Sequence, residues 1–319
     1  MPELPTAADV AMAARAIERD VVRTPLVPSP ALSERLGAEV LIKAELFQRG
    51  GSFKLRGVLN RVRSMTPEER ERGVATVSAG NHALAVALVC QAEGVNATVF
   101  MPRAASPLKV AATRAAGATA ELDNDDAAAA FESLAAFAER TGAFVLHPFD
   151  DPAVIAGQGT VGAEVVADFP APAAVVVPVG GGGLLSGVAL AVKAQAPEAR
   201  IVAVEAANMP TLTAAFEHGE PTPVPFASTL ADALTPPSFG RLNFEVCKDI
   251  VDEVIALSED ELRAGLRVAY TECKLACEVG GAAAIAALVA RRLPQAGPTV
   301  LVASGGNVDP ALLAKLIAD

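Results

Sequence analysis

Short β-branched runs alternate along this chain with longer Ala- and Leu-rich stretches, and glycine or polar turns separate the two kinds. The runs lie at residues 39–44, 74–77, 97–101, 143–146, 174–179, 201–205 and 299–303. Helical stretches fill the gaps, so the pattern predicts an α/β protein with a mainly parallel sheet covered by helices. At Thr66-Pro67-Glu68-Glu69 a capping hydroxyl, a proline at the first helical position and acids in the first turn mark a helix start. The proline-rich residues 221–225 are expected to form the longest irregular loop. No internal repeat or charge block is present, and alanine clusters such as 127–130 offer small side chains for close helix packing.

A length of 319 residues implies two domains, or one large unit with an insertion. With 52% hydrophobic and 20% charged residues and a mean hydropathy of +0.38, the chain can bury a large core and is not a disordered one. The net charge of −11 would repel phosphodiester backbones and anionic lipids, and a chain with no Trp and one Tyr (Tyr270) lacks platforms for stacking bases. No nucleic-acid and no membrane partner is therefore expected. The first residues lack a basic segment followed by an apolar one, and the apolar runs at 173–179 and 282–290 are too short to span a bilayer, so a cytoplasmic location is expected. Of Cys90, Cys247, Cys273 and Cys277, only the last two lie close together, in a C-x-x-x-C spacing read on a helix. That is neither a zinc nor a redox motif, and all four are expected to be free thiols.

Four segments at the ends of predicted strands could carry chemistry. After 174–179 come Gly180, Gly181, Gly182 and Gly183 and then a helix beginning near Leu184. Unpaired backbone N–H groups and the helix dipole there make an anion cradle. It lacks the G-x-G-x-x-G fingerprint and the Walker A lysine, although Glu205 imitates a ribose-binding acid. The segment Gln48-Arg49-Gly50-Gly51-Ser52-Phe53-Lys54-Leu55-Arg56-Gly57 delivers one of only seven lysines to a helix start, where the dipole disfavours the cation and lowers its pKa, as a Schiff-base lysine requires, with an ordinary solvated lysine as the other reading. Ser78-Ala79-Gly80-Asn81-His82 offers a hydroxyl, an amide and backbone N–H groups to a carboxylate-sized anion, with ordinary helix capping as the other reading. Ser304-Gly305-Gly306-Asn307 follows the last run, and its hydroxyl suits a neutral ring nitrogen. His82, His147 and His218 form no metal-binding pattern, and no serine-hydrolase elbow occurs.

In this order the four segments closely resemble the threonine dehydratase and serine racemase family of pyridoxal 5′-phosphate (PLP) enzymes. The likeness extends from Arg23-Thr24-Pro25-Leu26 to the C-terminus and includes Pro152-Ala153-Val154-Ile155-Ala156-Gly157-Gln158-Gly159-Thr160. The resemblance implies PLP fold type II, tryptophan synthase β-like, with two three-layer α/β/α domains and mainly parallel sheets. It divides the chain into a large PLP-binding domain, residues 1–48 plus 147–319, and a small substrate-side domain, residues 49–146. It further implies that Lys54 holds PLP and acts as the base at Cα, that Phe53 packs on the ring, and that Asn81 bonds the ring hydroxyl. Gly180, Gly181, Gly182, Gly183 and Leu184 would bind the phosphate, and Ser304 the ring nitrogen. Ser78, Ala79, Gly80, Asn81 and His82 would receive the substrate carboxylate.

A hydroxyl partner leaves the ring nitrogen unprotonated, which favours prompt loss of a β-leaving group. The implied reaction is conversion of L-threonine, L-serine or a related β-hydroxy amino acid to a 2-oxo acid and ammonia. A racemase is the alternative within the family, and a nicotinamide-dependent dehydrogenase or a catalytically dead ligand-binding protein the alternatives outside it. Leu84 stands where the family commonly has Gln, Ala233 where it has Gly, and Val279 where it has Pro. No C-terminal regulatory domain is expected. No divalent-metal site is expected either, because Glu205 is followed by Ala206-Ala207-Asn208 instead of further acids, which leaves at most a monovalent ion there. The resemblance also implies a homodimer or higher homo-oligomer acting on a small amino acid.

Overall fold

Ten strands alternate with helices in the computed structural model, which describes residues 3–294 and 297–318. In chain order they are β1 (Leu26–Pro28), β2 (Val40–Ala44), β3 (Val74–Val77), β4 (Ala97–Phe100), β5 (Thr119–Glu121), β6 (Phe144–Val145), β7 (Ala174–Pro178), β8 (Arg200–Ala206), β9 (Glu253–Leu257) and β10 (Thr299–Ala303). They form two sheets. One has the order β1-β2-β10-β7-β8-β9 and is parallel except for β1, and the other has the order β5-β4-β3-β6 and is wholly parallel.

Side-chain alternation along each strand feeds a separate core on either face. In the larger sheet Ile42, Val176, Val202 and Leu301 pack under the helices Glu259–Thr271 and Ala283–Val289, while Leu41, Val175, Val177 and Val300 pack under Gly183–Gln195 and Pro152–Asp168. In the smaller sheet Val74 and Val99 face Lys54–Arg63 and Asn81–Glu93, and Ala75 and Phe100 face Ala127–Thr141. Each sheet is thus the middle of three layers, as expected of an α/β protein of fold type II.

All seven expected strands are present, with ends shifted by no more than one residue. The three unforeseen ones, β1, β5 and β9, are three of the four edge strands, β6 being the edge strand that was foreseen. An edge strand is paired on one side only and half-covered, so it carries no buried apolar run to mark it; β5 buries only Ala120 of its three residues. The helix start at Thr66 carries the full capping box with Glu69. Residues 221–229 form the irregular loop. One expectation is corrected: Cys273 and Cys277 are not on a helix. The helix ends at Thr271 and Lys274 takes a left-handed φ of 60°, so the two cysteines lie on an irregular segment, as free thiols like Cys90 and Cys247.

The helix Pro152–Asp168 supports both the lysine helix and the helix behind the glycine loop. Its Gly157 lies so close to Gly57 of Lys54–Arg63, and its Gly159 to Gly187 of Gly183–Gln195, that a Cβ on any of the four would overlap the facing helix. Beside the first contact sits a buried charge cluster. Arg56 binds Glu45 through Nε and Nη2 at 2.8 Å each and Glu164 through Nη1 at 2.7 Å and Nη2 at 2.9 Å, with Thr160 and the Val22 carbonyl taking the remaining directions. Lys43 supplies the second cation to Glu164, so two positive groups face two negative ones.

Gly187→Ala separates two effects. Helix propensity alone predicts a gain of about 0.5 to 1 kcal/mol, whereas overlap with the Gly159 amide and the Ile155 carbonyl predicts a net loss of about 1 to 3 kcal/mol. Urea denaturation is expected to show the loss.

Candidate active site

The lysine of the glycine-rich segment is the first residue of Lys54–Arg63, with Phe53 as its N-cap and no side chain capping the helix. Two flanking segments hold it. Phe53 N donates to the Ser304 carbonyl at 3.2 Å, Ser52 pairs with Gly305, Gly306 N donates to the Gly51 carbonyl at 2.9 Å, and Asn307 Nδ2 donates to the Gly50 carbonyl at 2.7 Å. The segments around Lys54 and Ser304, some 250 residues apart in sequence, are therefore zipped backbone to backbone.

Lys54 Nζ donates to the Pro148 carbonyl at 2.9 Å and lies 5.1 Å from the centre of the Phe53 ring. Desolvation pushes its pKa down to about 8, with the Glu278 carboxylate opposing the shift. The expected depression is present, but burial is its main cause, ahead of any helix dipole.

Pro148 opens a segment that also reaches the glycine loop. The Phe149 ring fills the space beside Gly181, where any Cβ would overlap it, and Phe239 does the same at Gly182, whose φ of 100° is itself left-handed. Asn243 Nδ2 ties the Phe149 carbonyl at 3.0 Å to the Gly181 carbonyl at 3.1 Å, and Asp150 accepts from Arg241 N at 3.0 Å and Leu242 N at 2.9 Å. The helix Gly183–Gln195 that comes next has no side-chain cap. Its first N–H groups are left for an anion, and Leu184, buried, belongs to its first turn.

Asn81 begins the helix Asn81–Glu93 after β3. Its Oδ1 accepts from Asn307 Nδ2 at 2.8 Å and its Nδ2 donates to Glu278 Oε1 at 2.6 Å, which fixes the amide orientation. Within the same turn Gly80 N donates to Ser78 Oγ at 3.2 Å, and Ala79 lies between them, half-buried.

His82 departs from expectation. Its imidazole is buried and points away from the turn that was expected to receive a carboxylate. Thr76 Oγ1 donates to the Leu146 carbonyl at 2.8 Å, so the Thr76 oxygen accepts from His82 Nε2 at 3.1 Å, and Nδ1 has no partner among the described residues. Desolvation, with Lys54 adding to it, holds this ring well below the usual histidine pKa and therefore neutral.

Glu205 is also committed elsewhere. Fully buried, it accepts from Leu212 N at 2.9 Å, from Thr213 N at 3.1 Å and from the Thr213 hydroxyl, and so caps the helix Thr211–His218. No free carboxylate is left for a ribose. Among the described residues no group of three or more His, Cys, Asp or Glu side chains could hold a metal ion.

Sequence reasoning overlooked Glu278, Pro148 and Phe149. Glu278 is nearly buried beside Asn81, and burial raises its pKa to about 7. Its only signal in the sequence is a lone acid within the apolar stretch from Leu275 to Ala290. The space its carboxylate occupies excludes a Cβ at Gly305, which explains the glycine of Ser304-Gly305-Gly306-Asn307.

Comparison with known proteins agrees with this geometry. Residues 17–305 match the family described as pyridoxal-phosphate dependent enzyme. The chain is 41% identical over 312 residues to an L-threonine ammonia-lyase of Thermotoga maritima, covering 98% of this chain and 78% of that one. The structure superposes on maize serine racemase with a TM-score of 0.93 at 31% identity, covering 99% and 98% of the two chains. On a threonine deaminase from T.th. the TM-score is 0.90 at 39% identity, covering 96% and 99%. The uncapped glycine loop, the depressed lysine and the serine of the zipped segment are groups of the kinds that a phosphate, an aldehyde and a pyridine nitrogen require, and the chain belongs to the pyridoxal-phosphate dependent enzymes.

Proposed function

We propose that this chain is an ammonia-lyase that dehydrates L-threonine, L-serine or a related β-hydroxy amino acid to a 2-oxo acid and ammonia. The observation that carries the reading is Lys54: an amine whose pKa is brought to about 8, at an uncapped helix start, between the segment ending in Ser304 and the segment leading to the glycine loop. The likeness to L-threonine ammonia-lyase over nearly the whole chain supports it.

When bound, the cofactor supplies an electron-withdrawing ring that acidifies the Cα–H of an attached amino acid. In this reading Lys54 is the covalent anchor, and its Nζ then takes the Cα proton, which an amine with a pKa near ambient pH can accept and release. The N–H groups of Gly180, Gly181, Gly182, Gly183 and Leu184 hold the phosphate, Ser304 meets the ring nitrogen, Phe53 packs on the ring and Asn81 bonds its hydroxyl. The turn Ser78, Ala79, Gly80, Asn81 and His82 holds the substrate carboxylate, with His82 contributing backbone only because its ring is spent on Thr76. Residues 49–146 serve as the small substrate-side domain and residues 1–48 plus 147–319 as the large one, in a cytoplasmic homodimer or larger homo-oligomer.

Racemisation is the second reading, favoured by the likeness to maize serine racemase. It requires a proton-exchanging group on the face opposite Lys54. In the turn proposed to hold the substrate, the Ala79 methyl group can neither donate nor accept a proton, and the buried His82 ring is no substitute.

Purified enzyme supplied with L-serine and L-threonine is expected to release 2-oxo acid and ammonia much faster than D-enantiomer, as followed by keto-acid absorbance and chiral chromatography. Lys54→Ala is expected to lower that rate by at least about 10² to 10⁴-fold. D-product outpacing 2-oxo acid in the unmodified protein would reverse the order of the two readings.

The depressed lysine also predicts a pH dependence in cofactor-free protein. With a folded-state pKa of about 8, against about 10.4 when unfolded, the unfolded chain holds the extra proton between those values, so this group's contribution to stability rises with pH across that window. The urea midpoint of the wild type, compared with Lys54→Met, is expected to lag at pH 7 and close the gap between about pH 8 and 10.5.

A further inference from the structure

The two sheets are joined in two physically different ways. On one side the joint is buried and closely packed: Leu55, Val58 and Leu59 of the lysine helix share a buried cluster with Leu146 and Val154, the helix lies against Pro152–Asp168 through Gly57 and Gly157, and Arg56 is bound to Glu164 between the same two helices. On the other side the links are polar. Asn81 reaches Glu278 and Asn307, and Lys109 Nζ donates to Asp232 Oδ2 at 2.7 Å.

This last pair is the outermost. The Lys109 side chain is 33% and the Asp232 side chain 60% exposed. Lys109 belongs to the helix Pro107–Ala115, which packs against Asn81–Glu93, and with Gly80, Asn81, Leu84 and Asn307 it lines a cavity of about 180 Å³. Asp232 opens the 3₁₀ turn Asp232–Leu234, whose remaining residues sit on the glycine loop: Leu234 Cα and the Ala233 carbonyl lie 3.2 and 3.5 Å from where Gly180 would carry a Cβ, and Leu234 Cγ lies 3.0 Å from the same point at Gly280.

We propose that Lys109 and Asp232 are positioning residues, an ion-pair latch across the mouth of the cleft that holds the Asn81 helix and the glycine loop in register over Lys54 during turnover. A buried joint of apolar contacts and fully paired charges stays closed, because opening it would expose apolar surface and strand desolvated charges, whereas a partly solvated ion pair breaks and re-forms readily, so the cleft opens at the latch and pivots on the buried side. The latch touches neither Lys54 nor Ser304. It therefore acts on the step that brings the two lobes together and leaves the chemistry at Lys54 unchanged.

The kinetic arm of the test rests on the ammonia-lyase reading; the exchange arm does not. Lys109→Met and Asp232→Asn are each expected to lower kcat/KM for 2-oxo acid formation about two- to five-fold, the range set by the strength of exposed ion pairs, mainly through KM. The double variant should be no worse than either single one. The charge-swapped protein, Lys109→Asp with Asp232→Lys, should recover to within about two-fold of wild type, a rescue that a purely local structural role does not produce. Raising salt should weaken the wild type and leave Lys109→Met nearly unaffected.

In the resting holoenzyme, Lys109→Met should also speed amide hydrogen exchange in residues 107–115 and 231–236 together, with Tm unchanged. Swapped protein no better than the singles, or exchange unaltered in both segments, overturns the latch. Wild-type protein that makes no 2-oxo acid from any β-hydroxy amino acid but shows coupled exchange overturns the substrate reading alone.

Discussion

The spacing of the site depends on backbone contact at two pairs of glycines. Helix Pro152–Asp168 touches the lysine helix through Gly157 and Gly57, and the helix that starts at the glycine loop through Gly159 and Gly187. Because each contact is between main chains, no side chain can relax to change the distance, and the interior is dense enough to transmit the constraint. The starting points of both partner helices, Lys54 and Gly183, are thereby set relative to one support. Arg56 adds rotation to translation. It lies two residues beyond Lys54, on the far side of the helix, and its saturated hydrogen bonds to Glu45, Glu164, Thr160 and Val22 leave Lys54 one direction in which to point. A cluster of two cations and two anions is an acceptable way to bury that many charges, since each desolvated group has a partner.

Around Lys54 the protein withholds charge instead of supplying it. His82 and His147 are both pushed toward their neutral forms, by burial first and by Lys54 itself in addition, and the Glu278 carboxyl is raised to about 7 by burial. Lys54 donates to a carbonyl, that of Pro148, and not to a carboxylate. An amine held in such surroundings gives up its proton more readily than one in a salt bridge, which is what both covalent attachment to an aldehyde and abstraction of a Cα proton demand. Lys43 shows the opposite arrangement: eleven positions earlier in the same chain and fully buried, it is paired directly with the Glu164 carboxylate.

Much of this arrangement was legible in the residues alone, because it is local. A β-branched run, a glycine turn and a helix start are specified within a dozen residues, so most of the strands and the segments after them could be read directly, and so could the strand-end placement of Asn81, Gly180 and Ser304, whereas Lys54 follows β2 only after two 3₁₀ turns, Glu45–Phe47 and Arg49–Gly51. Three of the four edge strands escaped because burial on one side leaves no continuous apolar signature, as in β5 and β9, while the fourth, β6, was marked by its apolar flanks Ala143 and Leu146. What only the tertiary structure decided is everything that depends on residues distant in sequence meeting at one point. Glu278 reaches Asn81 across 197 positions, Lys109 reaches Asp232 across 123 and Lys54 reaches Pro148 across 94. The same holds for where a side chain turns: His82 swings inward to Thr76, and Glu205 is consumed in capping its own following helix, because burial makes an unpaired polar group costly and the nearest partner wins. Residue type and local spacing determined which groups were offered; desolvation and packing determined which remained free to act.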